Sequence, residues 1–155
     1  MKKAEILTKK ATPNPSSLVA VPVGERGLDF IDKLKPNKTV SLSLGYDLKG
    51  AVIELPKGCI LSFKDGGRLK NGTIIGNNSA IIANRKVFEN VSVQGTWTCT
   101  GNALWWAQGC VSNEYNLPDN TDDCEGIQQA LDSSFRELVF PPLIYYTSKT
   151  LVLSK

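Results

Sequence analysis

From Thr39 onward the chain alternates short apolar or β-branched runs with clusters of Gly, Asn, Asp and Lys. The runs fall at 40–44, 51–55, 59–63, 72–76, 79–83 and 90–94, and each has the length and residue types of a strand. Inside them the positions alternate or are wholly apolar, as in Ala51-Val52-Ile53-Glu54-Leu55 and Thr73-Ile74-Ile75. Their spacing carries the argument: Ala51 to Gly72 is 21 residues, Cys59 to Ser79 is 20 and Gly72 to Asn90 is 18. A recurrence near 20 with strands, tight turns and no helix fits one coil of a parallel β-helix. Each coil must supply two or three strands and their corners before stacking on the next. The peptides Lys64-Asp65-Gly66-Gly67, Lys70-Asn71-Gly72 and Gly76-Asn77-Asn78 supply residues tolerant of positive φ where corners bend. A hairpin meander competes, because Asn71-Gly72 is also a type I′ turn signal. The pattern predicts an all-β fold, a short right-handed parallel β-helix.

One helix is predicted, over 123–133. Asp122 and Glu125 have the spacing of a capping box, and Ile127, Ala130 and Leu131 form one apolar stripe. A strand at 138–140, the break Pro141-Pro142 and a last strand at 150–153 follow, the last leaving an open edge. Residues 1–38 have no sustained period and read as an extended arm, with a terminus that is disordered or packs locally as the alternative. Leu18, Val19, Val21 and Val23 make its apolar piece and are the candidate partner-docking residues. The expected organisation is a docking arm at 1–38 and first coils at 39–97. A linker, a capping helix and the start of a further coil occupy 98–155.

Composition narrows the chemistry. The 155 residues are 41% apolar and 21% charged, enough for a packed core. The net charge of +3 is too small to argue for nucleic acid, but it is unevenly spread: +4 over 1–38, +3 over 39–109 and −4 over 110–155. There is no His, which removes Ser-His and Cys-His catalysis, His-based zinc sites and an imidazole pH switch. Cys59, Cys99, Cys110 and Cys124 form no Cys-x-x-Cys pair and read as free thiols, so no metal and no cofactor is expected. Lys9 and Lys10 interrupt the start before an apolar run develops, and no stretch reaches the ~20 apolar residues of a membrane span. No secretion signal and no membrane partner are therefore expected. The sequons beginning at Asn37, Asn71, Asn77 and Asn90 read as turns and rungs.

Few residues offer chemistry. Asp122, Asp123 and Glu125 have the oxygens for acid/base work or calcium, but at a helix start the dipole and unpaired N–H groups explain them without catalysis. Trp97, Trp105 and Trp106, with Tyr115, are candidates for stacking on a glycan or for a core or subunit interface. Tyr145-Tyr146 beside Lys149 has the same ambiguity. Lys2, Lys3, Lys9 and Lys10 lack the interleaved aromatics of a nucleic-acid surface.

The run from Asp47 to Phe63, with Gly66-Gly67 and Lys70-Asn71-Gly72-Thr73 following in order, resembles the opening coils of pectate-lyase-like β-helix proteins of gut bacteria and crAss-like bacteriophages. Thr121-Asp122-Asp123, Ile127-Gln128-Gln129-Ala130-Leu131 and Phe140-Pro141-Pro142 are similar to the entry segment of phage tailspikes, although Leu143 stands where a turn Gly is usual. The resemblance implies a structural virion protein, the capsid- or tail-attached base of a head fibre, tail fibre or spike. It would be assembled in the host cytoplasm as a homotrimer with other virion proteins as partners. Host surface polysaccharide is a further candidate partner. No catalytic residue is expected, because the groove of later coils that carries activity in such proteins is missing. A truncated polysaccharide lyase or hydrolase and a non-catalytic carbohydrate-binding module are the rival functions.

Overall fold

The computed structural model describes residues 6–7, 28–109 and 122–153. In chain order its strands are β1 (Ile6–Leu7), β2 (Thr39–Leu42), β3 (Gly45–Asp47), β4 (Val52–Glu54), β5 (Ile60–Phe63), β6 (Arg68–Ile82), β7 (Phe88–Trp97), β8 (Gly101–Asn102) and β9 (Leu138–Val139). Among the described residues a single α-helix, α1 (Cys124–Leu131), lies between β8 and β9. The described chain is mostly β, and every strand pair in it is parallel. That removes the hairpin meander, whose neighbours would be antiparallel.

Three stacks of strands recur as the chain passes. In the first, Thr39 pairs with Ile60 and Ile60 with Ala80. In the second, Gly45 pairs with Arg68 and Leu69 with Phe88. In the third, Val52 pairs with Thr73 and Thr73 with Ser92, while β1 pairs with the other side of β4. Partners among β2 to β7 stand 18 to 23 residues apart, matching the period of the sequence.

Each stack turns one column of side chains inward: Val40, Leu61 and Ile81; Tyr46, Leu69 and Phe88; Ile53, Ile74 and Val93. All nine are buried. Apolar burial of this kind is the main force holding the passes together. The turn signals sit at the corners. Asn71 and Asn78, at φ 52° and 49°, bend β6 inside its span, so the two runs expected at 72–76 and 79–83 belong to one kinked strand. Gly67 is required by space: a Cβ there would stand 2.0 Å from the Leu42 carbonyl oxygen.

The ends differ from expectation. Phe30 and Leu34, flanking a 3-10 turn at Ile31–Lys33, are buried in the core, with the Phe30 ring 4.9 Å from that of Tyr46. The packed body therefore includes Phe30 and Leu34, before the boundary at 38, and β1 also joins it through β4. Residues 98–106 are part of the stack rather than a linker. The Thr98 N–H donates to Ser79 O, the Val87 N–H donates to Trp105 O, and Gly101 pairs with Leu138.

At the far end α1 packs against β7 and buries Cys124, Ile127 and Ala130. The Ser134 N–H then donates to Val93 O. Residues 150–153 form no strand. They run along α1, where the Gln128 side-chain amide exchanges two hydrogen bonds, both 2.9 Å, with the Val152 backbone. No helix among the described residues is long and apolar enough to cross a membrane.

Candidate functional site

A ladder of side-chain amides climbs one corner of the stacks. The Asn71 Nδ2 donates to both carboxylate oxygens of Asp47 at 3.2 Å, and the Asn90 Nδ2 donates to Asn71 Oδ1 at 3.1 Å. The Gln129 Nε2 of α1 donates to Asn90 Oδ1 at 3.4 Å. Local conformation explains the residue choice. Asn71 and Asn90 both take positive φ, which Asn tolerates better than other non-glycine residues. Asp47 is anchored in turn by the Lys49 N–H at 2.9 Å.

Beside the ladder lies a groove of about 440 Å³ lined by Gly50, Asn71, Gly72, Thr73, Asn90, Ser92, Gln129 and Asp132. Thr73 and Ser92 are register partners on adjacent strands, so their side chains stand one above the other on the outward face. The Ser92 hydroxyl accepts from Gln94 Nε2 at 3.2 Å, and Asp132 accepts from Gln128 Nε2 at 3.0 Å. Among the described residues the lining holds amides, hydroxyls and one carboxylate, with no cation and no aromatic ring.

The tryptophans occupy other places. Trp105 and Trp106 are buried, and their indole N–H groups donate to Ala83 O and Val91 O at 3.0 and 2.9 Å. Trp97 is half-buried and donates to Gln94 O at 3.0 Å. The rings of Phe63, Phe88, Trp106, Phe135, Trp105 and Trp97 form a contiguous series with centroids 5.0 to 6.3 Å apart. Trp105 and Trp106 therefore pack the join between stack and helix and offer no open face to a sugar. Tyr115 and the docking candidates Leu18, Val19, Val21 and Val23 lie outside the described residues, as do Cys110 and the N-terminal lysines.

The carboxylates at the helix start are engaged structurally. Asp122 accepts from the Cys124 N–H at 3.0 Å, from the Ser148 N–H at 3.1 Å and from the Ser148 hydroxyl. Those bonds, the Ser148 hydroxyl first, hold its carboxyl below the usual range. Asp123 is buried and accepts from the backbone N–H groups of Gln108 and Gly109. Glu125 is exposed, and no capping box joins it to Asp122. Burial, with a smaller contribution from the Asp123 charge, raises the Tyr145 hydroxyl above its ordinary value. Among the described residues Cys59, Cys99 and Cys124 form no disulfide with one another, and no group of acidic, Cys or His side chains could hold a metal.

Sequence reasoning passed over the groove. Its only trace was the recurrence of Asn71-Gly72-Thr73 as Asn90-Val91-Ser92, 19 residues later, which the parallel register turns into adjacent rungs. Comparison with family models, curated proteins and solved structures finds no match to this chain.

Proposed function

We propose that the chain is a short right-handed parallel β-helix and serves as a structural virion protein, the capsid- or tail-attached base of a bacteriophage fibre or spike. The observation that carries this reading is the set of parallel registers 18 to 23 residues apart around a continuous apolar core. Such a stack resists shear and proteolysis, because every pass is hydrogen-bonded along its length to the next. The likeness of residues 47–78 to the opening coils of phage and gut-bacterial β-helices supplies the biological setting. A right-handed winding is the sense that L-residues favour for parallel crossovers.

The reading gives the chain no catalytic task. Asp122 and Asp123, the carboxylates that drew attention as acid/base candidates, are spent on backbone N–H groups and Ser148. Assembly is threefold, with other virion proteins as neighbours. Electron microscopy of purified particles carrying an epitope on this chain is the test. Label at the root of a fibre or spike is expected. Particles that lack the chain, or turnover of capsular polysaccharide by the purified 155 residues, would overturn the reading.

A further inference from the structure

We infer that Asn71-Gly72 is a deamidation site that the amide ladder holds inactive, so that opening of this corner of the stack converts Asn71 irreversibly. The inference rests on the ladder and the backbone around it, and is independent of where the chain sits in a particle. Asn71-Gly72 is the one Asn-Gly pair in the sequence. Asparagine is a thermolabile side chain, and a following Gly leaves the attacking backbone nitrogen unshielded. Asn90, the next rung, is followed by the β-branched Val91, whose side chain crowds that nitrogen. The ladder therefore holds two Asn residues of similar backbone, φ 52° and 54°, and one of them has the neighbour that the reaction needs.

The chemistry is intramolecular. The Gly72 backbone nitrogen attacks Asn71 Cγ: an N–Cγ bond forms, the Cγ–Nδ2 bond breaks, and the Gly72 amide proton leaves with Nδ2 as ammonia. Water then opens the cyclic imide at either carbonyl, which leaves an aspartyl or an isoaspartyl residue at position 71. No oxidant or reductant takes part. Water reaches the place, since Asn71 and Gly72 both line the groove of about 440 Å³. Conformation, not access, restrains the reaction.

The restraint acts on the side chain and the backbone together. Asn71 Nδ2 donates to both carboxylate oxygens of Asp47 at 3.2 Å, and Asn71 Oδ1 accepts from Asn90 Nδ2 at 3.1 Å. Ring closure asks the Cβ–Cγ bond to eclipse the Cα–C bond, away from the staggered rotamers, so the amide has to leave these partners. On either side of the reacting peptide the backbone is tied to the preceding pass. The Gly50 N–H donates to Asn71 O at 2.6 Å, and the Thr73 N–H donates to Ala51 O at 3.0 Å. A Cβ at Gly72 would stand 2.5 Å from Leu48 Cβ, so the corner has no room for the extra backbone atom of an isoaspartyl residue. The aspartyl product fits the space but sets a carboxylate where Nδ2 had faced that of Asp47. Either product keeps the corner from closing as before.

For the test, the full chain is incubated in mildly alkaline buffer, native and in urea. Conversion at each Asn is followed by peptide mass spectrometry, with isoaspartyl methyltransferase labelling to identify the product. Position 71 is expected to convert in urea ahead of every other Asn, and at least about tenfold more slowly in the native chain. Folded Asp47→Ala, which removes the acceptor of Nδ2, should convert about tenfold faster than native wild type. Should that variant unfold, Asn90→Ala replaces it, with an expected gain of about fivefold. Asn71→Asp, which installs the product carboxylate, should melt below wild type. Equal rates in the native and unfolded chain, no conversion at position 71 in urea, a folded variant no faster than wild type, or an unchanged melt of Asn71→Asp would each overturn the inference.

Discussion

Asp122 joins the start of α1 to residues 148 and beyond, and its ionised form is the one that accepts all three hydrogen bonds. A carboxyl whose folded value is depressed contributes stability above its unfolded value, and that contribution is lost as pH falls through the folded one. Ordinary Asp titrates near 3.8, so the attachment of residues 146–153 to the helix is expected to hold at neutral pH and to loosen below that value. Hydrogen exchange at the Ser148 amide, followed from pH 7 downward, reads this directly. In Asp122→Asn the exchange should already be fast at neutral pH, with no acid step; protection that ignores both pH and the substitution would contradict the assignment. Space rather than charge governs Gly67, where any side chain meets the Leu42 carbonyl oxygen, part of the neighbouring pass. Gly67→Ala should cost about 1–3 kcal/mol in urea unfolding, and an unchanged unfolding midpoint would contradict the close approach.

Among the elements, the aromatic series between stack and helix concentrates the packing. Phe135 touches Trp97, Trp105 and Trp106 at centroid distances of 5.3 to 6.3 Å, although it lies beyond the end of α1. Truncation to Ala should cost about 3–5 kcal/mol by thermal or urea melts. An effect under about 1 kcal/mol would show that the cap is not bound through this residue. Strands were the most legible elements, since Ile53, Ile74 and Val93 follow the twofold alternation that sheet burial imposes. The first pass was less legible: Gly45–Asp47 is a three-residue strand whose one inward side chain, Tyr46, gives no alternation to detect. Phe30 and Leu34 were read as arm because an irregular segment has no period, although its apolar residues bury as completely as those of a strand. The strand expected at 150–153 failed for a different reason. Its apolar run is real, but Gln128 takes the Val152 backbone bonds that a neighbouring strand would have made. The groove was hidden because its walls come from residues 50, 71–73, 90–92, 129 and 132, which only the register brings together.

For the molecule as a whole, the two ends are covered by Phe30 with Leu34 and by α1, so the case for association rests elsewhere. Val139, Phe140, Val152 and Leu153 are exposed, at 51%, 43%, 58% and 76% of their surface, all in the C-terminal part of the chain. Covering such side chains is the thermodynamic reason to associate. Sedimentation at micromolar concentration should show a species larger than a monomer, with a trimer expected. The double change Val152→Asp and Leu153→Asp should shift it to monomer without altering the far-UV spectrum. A wild-type chain that stays monomeric would refute threefold assembly. The clustering of Trp105 and Trp106, 6.1 Å apart at the seam between the last pass and the helix, also gives the molecule an optical signature. Indole transitions this close couple, and the resulting exciton contribution to the dichroism, added to that of Trp97 and the tyrosines, comes from the seam. Peeling of the helix cap would extinguish that signal while the sheet absorbs and rotates light as before. Unfolding that begins at this end is then visible as two separated optical events, and unfolding that begins at the Phe30 end as one.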